Sequence, residues 1–260
     1  MCQFISFFHR PDNGDVAVFN LESHSETQAK LELNEKLWRE GHYLPSGQIV
    51  CRVAPTDKIT EQECNERLKN HYPSFVEFFN WAMGETCKNG IYSGSLDLGS
   101  LTSAAGLKLP TKCGSLDLRS LTSAAGLKLP TKCGSLYLGS LTSAAGLKLP
   151  TEIGGSLDLG SLTSAAGLKL PTEIGGSLYL GSLTSAAGLK LPTEIDGYLD
   201  LGSLTSAAGL KLPTKCGSLD LRSLTSAAGL KLPTEIGGSL DLGSLTSAEK
   251  EKLMKRRKNK

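Results

Sequence analysis

The phrase GSLDLGSLTSAAGLKLPT, first met at Gly94, returns with few changes at Gly114, Gly134, Gly155, Gly176, Gly197, Gly217 and Gly238. A unit of 20 or 21 residues is too short to enclose a core of its own. It buries its apolar side only by stacking on copies of itself, so the repeat dictates a solenoid. Within one unit Leu116 and Leu118 flank Asp117, which predicts a short strand with both leucines inward and the aspartate outward. SAAG (123–126) supplies small residues and a glycine for a corner. Leu127-Lys128-Leu129 repeats the in-out-in alternation and predicts a second strand, which Pro130 ends because it cannot donate to a ladder. No helical period runs through these segments. Each unit therefore reads as one coil of parallel β-structure, and eight coils at ~4.8 Å span roughly 40 Å.

The period alternates for a local reason. Units closing on TKCG have 20 residues, and those closing on TEIGG or TEIDG have 21. Cys113, Cys133 and Cys216 thus take the place of Ile153, Ile174, Ile195 and Ile236, as small hydrophobes at an inward position. The stretch CGSLDLRSL (113–121) resembles the leucine-rich-repeat pattern L-x-x-L-x-L-x-x-N, and LPTEIGGSLDL is closer still to short leucine-rich-like repeats of bacterial and phage-encoded proteins. The resemblance covers 93–248 and implies a binding surface without naming a ligand. Leu121 stands where that family carries Asn or Cys, so a straight β-solenoid is expected in place of a curved horseshoe.

The positions that change are few. The outward strand position reads Asp97, Asp117, Tyr137, Asp158, Tyr179, Asp200, Asp220 and Asp241, and the glycine two residues on gives way only to Arg119 and Arg222. These ten residues are the candidate binding stripe, because Tyr and Arg are the usual anchors of protein interfaces. Stacked aspartates repel by roughly 1 kcal/mol each before screening, and the two arginines stand where they relieve it. Asp200, Asp220 and Asp241 lack the further oxygen ligands a divalent cation needs. A single rank of threonines (Thr102, Thr122, Thr142 and successors) differs from the paired ranks of ice-binding solenoids. Lys108, Lys128, Lys148, Lys169, Lys190, Lys211 and Lys231 hold one invariant position.

Every Trp and Phe lies before residue 82, which marks 1–92 as a separate α+β head ahead of the all-β repeat domain, 93–248. Strands are expected in QFISFFHR and VAVFNLE, joined at Asn13-Gly14, and in QIVCRV (48–53). REGHYLPSG reads as a loop. Ser25 with Gln28, Thr60 with Glu63, and Pro73-Ser74 open three helices, the last carrying the aromatics of FVEFFNWAM. His24, Ser25, His42, Ser46 and Cys51 are the polar groups considered for catalysis, yet no spacing among them forms a phosphate loop, nucleophile elbow or metal motif. Cys2 resembles the N-terminal cysteine of class II glutamine amidotransferases, but Gln3 replaces that family's glycine and the head is too short for that fold.

The head is acidic and the repeat region nearly neutral, while 249–260 carries seven basic and two acidic residues and reads as a basic capping helix or tail. Its cluster Lys255, Arg256, Arg257, Lys258 and Lys260 is a candidate nucleic-acid contact. No run approaches the ~20 apolar residues that span a bilayer, so no membrane association is expected. Seven cysteines without CxxC spacing read as reduced thiols of a cytoplasmic protein. Neither a cofactor nor a metal is indicated. The leading expectation is a non-catalytic interaction protein whose solenoid presents the stripe to a protein partner. A small effector enzyme in the head with the solenoid as recognition or spacer arm, and nucleic-acid binding through the tail, are the alternatives.

Overall fold

The computed structural model describes residues 5–10, 16–18 and 39–258. The expected first helix (Ser25, Gln28, Leu31, Leu33), the turn at Asn13-Gly14 and His24 lie outside the described residues. The head is built on an antiparallel sheet in the order β2-β1-β3-β4, with β1 Ile5–His9, β2 Val16–Val18, β3 Arg39–Tyr43 and β4 Ile49–Cys51. Helices α1 (Glu61–His71) and α2 (Phe75–Thr86) follow. Both open on capping boxes, Thr60 with Glu63 and Ser74 with Glu77, so the predicted start signals are used by the fold.

The segment read as a loop after Trp38 is β3, the second inner strand. Its turn is confined to 44–48, where the Gly47 N–H donates to the Leu44 carbonyl. The glycine of REGHYLPSG at 41, a residue common in loops, here serves packing. The Phe7 ring crosses that position, and a Cβ on Gly41 would overlap Phe7 Cζ. Phe7 meets Phe78 edge-on at 5.3 Å, and the Tyr43 hydroxyl donates to the Tyr72 carbonyl at 2.9 Å. Tyr72, Phe75, Phe78 and Phe79 complete this aromatic core.

From Leu96 to Asp241 the repeats wind into a β-solenoid of stacked parallel strands, ending in helix α3 (Ser247–Lys258). Each coil points a leucine, leucine, leucine, alanine, leucine and proline inward, at Leu136, Leu138, Leu141, Ala144, Leu147 and Pro150 for example. After the first pair the spacing is three residues, so the coil turns a corner at every step where a strand would run straight. Leu127–Leu129 is consequently not a strand, and Pro130 is buried in the core. The second strand comes later, at Lys132–Cys133 and Glu152–Ile153. The SAAG corner is a turn in which the Leu127 N–H donates to the Ala124 carbonyl, with Gly126 at φ 74°.

The cysteine column is inward as expected: Cys133 pairs with Ile153, and Cys216 with both Ile195 and Ile236. Burial pushes the Cys113 thiol up to about 12 and that of Cys133 to about 11, which keeps both protonated and inert at neutral pH. The extra residue of the 21-residue coils lies between this column and the next leucine. At Ile195–Tyr198 it is absorbed as an irregularity against the shorter neighbour Cys216–Ser218.

A helix meets the solenoid at each end. Asn80 of α2 exchanges two hydrogen bonds with the first corner, donating to the Gly106 carbonyl at 2.8 Å and accepting from the Lys108 N–H at 2.7 Å. At the other end Thr246 and Glu249 form a reciprocal cap on α3, and Leu253 seals the last leucines at 2% exposure. Stacked coils leave a ladder edge at each end; these contacts fall on the first SAAG corner and on the last leucines, while Asp241 of the last strand is exposed.

Candidate functional site

The varied strand positions fall into one parallel ladder. Asp97, Asp117, Tyr137, Asp158, Tyr179, Asp200, Asp220 and Asp241 are in successive register. Each aspartate does local work first. Its Oδ1 accepts the backbone N–H two residues on, as at Gly99, Arg119, Gly160, Gly202, Arg222 and Gly243. This side-chain turn satisfies a donor at the bend after each strand. Serine does the same at the next corner, Ser123 accepting from the Ala125 N–H.

The outward placement of Asp117 and Asp220 needs correction, since they are only 5% and 1% exposed. The cause is the arginine two residues on, which folds back over its own coil's carboxylate. Arg119 Nε lies 3.0 and 2.9 Å from the two Asp117 oxygens, and Arg222 Nε lies 2.7 Å from Asp220 Oδ2. Asp220 also accepts the Tyr198 hydroxyl at 2.7 Å. Burial alone would raise the Asp220 pKa, but its bonds from Arg222 and Tyr198 outweigh this and hold it below the usual carboxylate value. Burial, and next the hydrogen bond to Asp220, push Tyr198 up to about 12.

Register explains where the arginines stand. Two aspartates meet at 97/117, 200/220 and 220/241, and every such contact includes an arginine-bearing coil. Elsewhere a tyrosine separates them. The alternation is thus a charge balance, coil by coil. It accounts for the arginines and for an uncharged residue at 137 and 179, but not for that residue being tyrosine. Tyr198, which replaces the serine of GSLDL, adds a third ring 6.0 Å from that of Tyr179. Sequence reading missed Tyr198, although the departure from serine in DGYLDL was its signal.

The lysine column behaves differently. Lys108, Lys128, Lys148, Lys169, Lys190, Lys211 and Lys231 are all exposed. Among the described residues, ion pairs join Lys132 to Glu152 and Lys215 to Glu235, and none reaches this column. In the tail Lys255 pairs with Glu251 at 2.7 Å, Arg256 is exposed, and Arg257 and Lys258 lie in the last turn of α3.

In the head, His42 and Cys51 do not come together. Alternation on paired strands puts Cys51 on the face of Gly41, opposite His42, which lies 3.8 Å from Glu40. Cys51 instead meets His9 of β1 and Cys64 of α1. These three side chains are buried, and their ligand atoms all lie within 4.8 Å of one another. His9 Nδ1 is 3.3 Å from Cys64 Sγ, and His9 Nε2 is 3.1 Å from the Arg52 carbonyl. The two thiols share a hydrogen bond that lowers the pKa of Cys64 and raises that of Cys51. Ser46 is remote from this cluster in role, accepting from the Gln48 N–H in the β3–β4 turn. No described helix is long and apolar enough to cross a membrane. No family model matches the chain, and no curated protein or solved structure is significantly similar to it.

Proposed function

We propose that the chain is a non-catalytic interaction protein that presents its ladder face to a protein partner. The observation that carries this reading is the choice of tyrosine at the breaks in the aspartate ladder. Serine or asparagine would interrupt the charges equally well, whereas a partly exposed tyrosine adds rigid amphipathic contact area at low entropy cost. Tyr179 and Tyr198, with Arg222 beside Tyr198, make the denser anchor; Tyr137 with Arg119 makes the second. The aspartates contribute by holding the turns and orienting the arginines. On this reading the repeats are leucine-rich-like ones of a bacterial or phage-encoded cytoplasmic protein.

The test compares proteins captured from bacterial lysate by the parent and by the Tyr137→Ser/Tyr179→Ser variant. A partner held by the parent and lost by the variant supports the reading; identical captures refute it. The lysine column favours a second reading, binding of an extended polyanion such as single-stranded nucleic acid. The solenoid balances its aspartate contacts with arginine, yet among the described residues no ion pair neutralises the seven lysines of that column. Binding of a random oligonucleotide that weakens with salt, and weakens further in Lys148→Glu/Lys169→Glu, supports the column. Loss only on removing residues 255–260 assigns the contact to the tail.

A further inference from the structure

We propose that His9, Cys51 and Cys64 form a binding site for a thiophilic divalent cation, Zn2+ by the chemistry of the donors. The argument begins with the donors themselves. Two thiols and an imidazole are soft to borderline ligands, the set that selects zinc over magnesium or calcium, which require oxygen. Zn–S bonds of about 2.3 Å and Zn–N bonds of about 2.0 Å in a tetrahedron require ligand atoms about 3.5–3.8 Å apart. The 3.3 Å between His9 Nδ1 and Cys64 Sγ, and the 4.8 Å limit on the whole cluster, bracket that edge.

The imidazole is already set for the task. The Arg52 carbonyl can only accept, so Nε2 donates to it, and Nδ1, 3.3 Å from Cys64 Sγ, is the nitrogen that faces the thiols. Metal-binding histidines recurrently donate their second nitrogen to a backbone carbonyl in this way, which fixes tautomer and ring orientation. The scaffold is equally fixed. β1, β4 and α1 each contribute one ligand, and the Asn65 side chain accepts the Cys51 N–H at 2.8 Å, tying α1 to β4 between the two cysteines.

Burial decides between a metal site and a nucleophile. His9 is 2% exposed, Cys51 1% and Cys64 5%, so no external substrate of ordinary size reaches either sulfur. A cation held by these three donors suits that burial, and charge favours it. Zn2+ takes both sulfurs as thiolates, and a dication with two thiolates and a neutral imidazole carries no net charge in the core. Three protein donors leave the fourth tetrahedral position for a further ligand.

The test is a titration of reduced, chelator-treated full-length protein with Co2+, followed by displacement with Zn2+. The expected result is one equivalent of Co2+ with thiolate-to-cobalt charge-transfer absorption, protons released as Co2+ binds, and bleaching by Zn2+ with no further proton release. Cys51→Ser and Cys64→Ser each remove the charge-transfer band or weaken binding at least tenfold, while Cys87→Ser retains it. Should the serine variants fail to fold by circular dichroism, X-ray absorption of the zinc-loaded parent decides: two sulfur and one imidazole scatterer support the site, and any other set overturns it. Folded parent that binds no Co2+, or a band unchanged in both Cys51→Ser and Cys64→Ser, also overturns the proposal.

Discussion

Gly41 shows how much of the head rests on one missing atom. The Phe7 ring that fills its place is fully buried and held by Phe78, so it has little room to retreat from an added methyl group. Gly41→Ala should therefore destabilise the head by about 1–3 kcal/mol, read as a lower denaturation midpoint at unchanged slope. Asp220 makes a pH-dependent contribution of definite sign. Its folded pKa is depressed below 3.8, so its stabilisation is present above that value and is lost as pH falls through the folded one. Hydrogen-exchange protection factors in 215–245 should fall below about pH 4, and Asp220→Asn should flatten the profile. Residues such as His9 were less legible in the sequence than Asp220, whose ladder is written in the repeat. His9, Cys51 and Cys64 come from three elements, so no local spacing announces them, although Phe7/His9, Ile49/Cys51 and Cys64/Leu68 each share a face by simple periodicity.

The elements of the solenoid are mostly strands of two residues that exist only as members of a ladder, and the ladder sets what each carries. Tyr179→Asp would place a third carboxylate between Asp158 and Asp200, with no arginine on any of the three coils. A loss on the order of 1 kcal/mol per new contact is expected, smaller at high salt, measured by thermal denaturation across ionic strength. Arg222→Ala should cost more, because it strips partners from a carboxylate that is almost wholly buried. Helix starts were readable because capping is local chemistry: Thr60-x-x-Glu63 and Ser74-x-x-Glu77 need no tertiary context. β3 was not, because a glycine demanded by a ring far away in the chain looks the same in sequence as a glycine demanded by a turn. The supposed strand at Leu127–Leu129 failed for a related reason. Alternation of two leucines about a lysine fits a strand, but the inward spacing of three residues across the whole unit, Pro130 included, belongs to a coil that bends at each step.

At the scale of the whole molecule, a repeat written at near-identity becomes a stack in which each coil satisfies its neighbour. Backbone, serine, threonine and leucine columns all run along the same axis. The two ends of the solenoid differ, with α2 set against the first corner and α3 growing from the same Thr-Ser that elsewhere opens a turn. Such a body should tolerate a change of length by whole coils, because removing residues 155–175 rejoins identical surfaces and brings Tyr137 next to Tyr179 without a new aspartate contact. The most direct measurement is the distance between spin labels, attached by a chemistry that spares cysteine, at exposed Thr122 and Thr225, five coils apart in the parent and four after that deletion. One coil per repeat predicts narrow distributions whose means differ by about 5 Å. An unchanged distance, or a broad distribution in either protein, would contradict the stacking of one repeat upon the next.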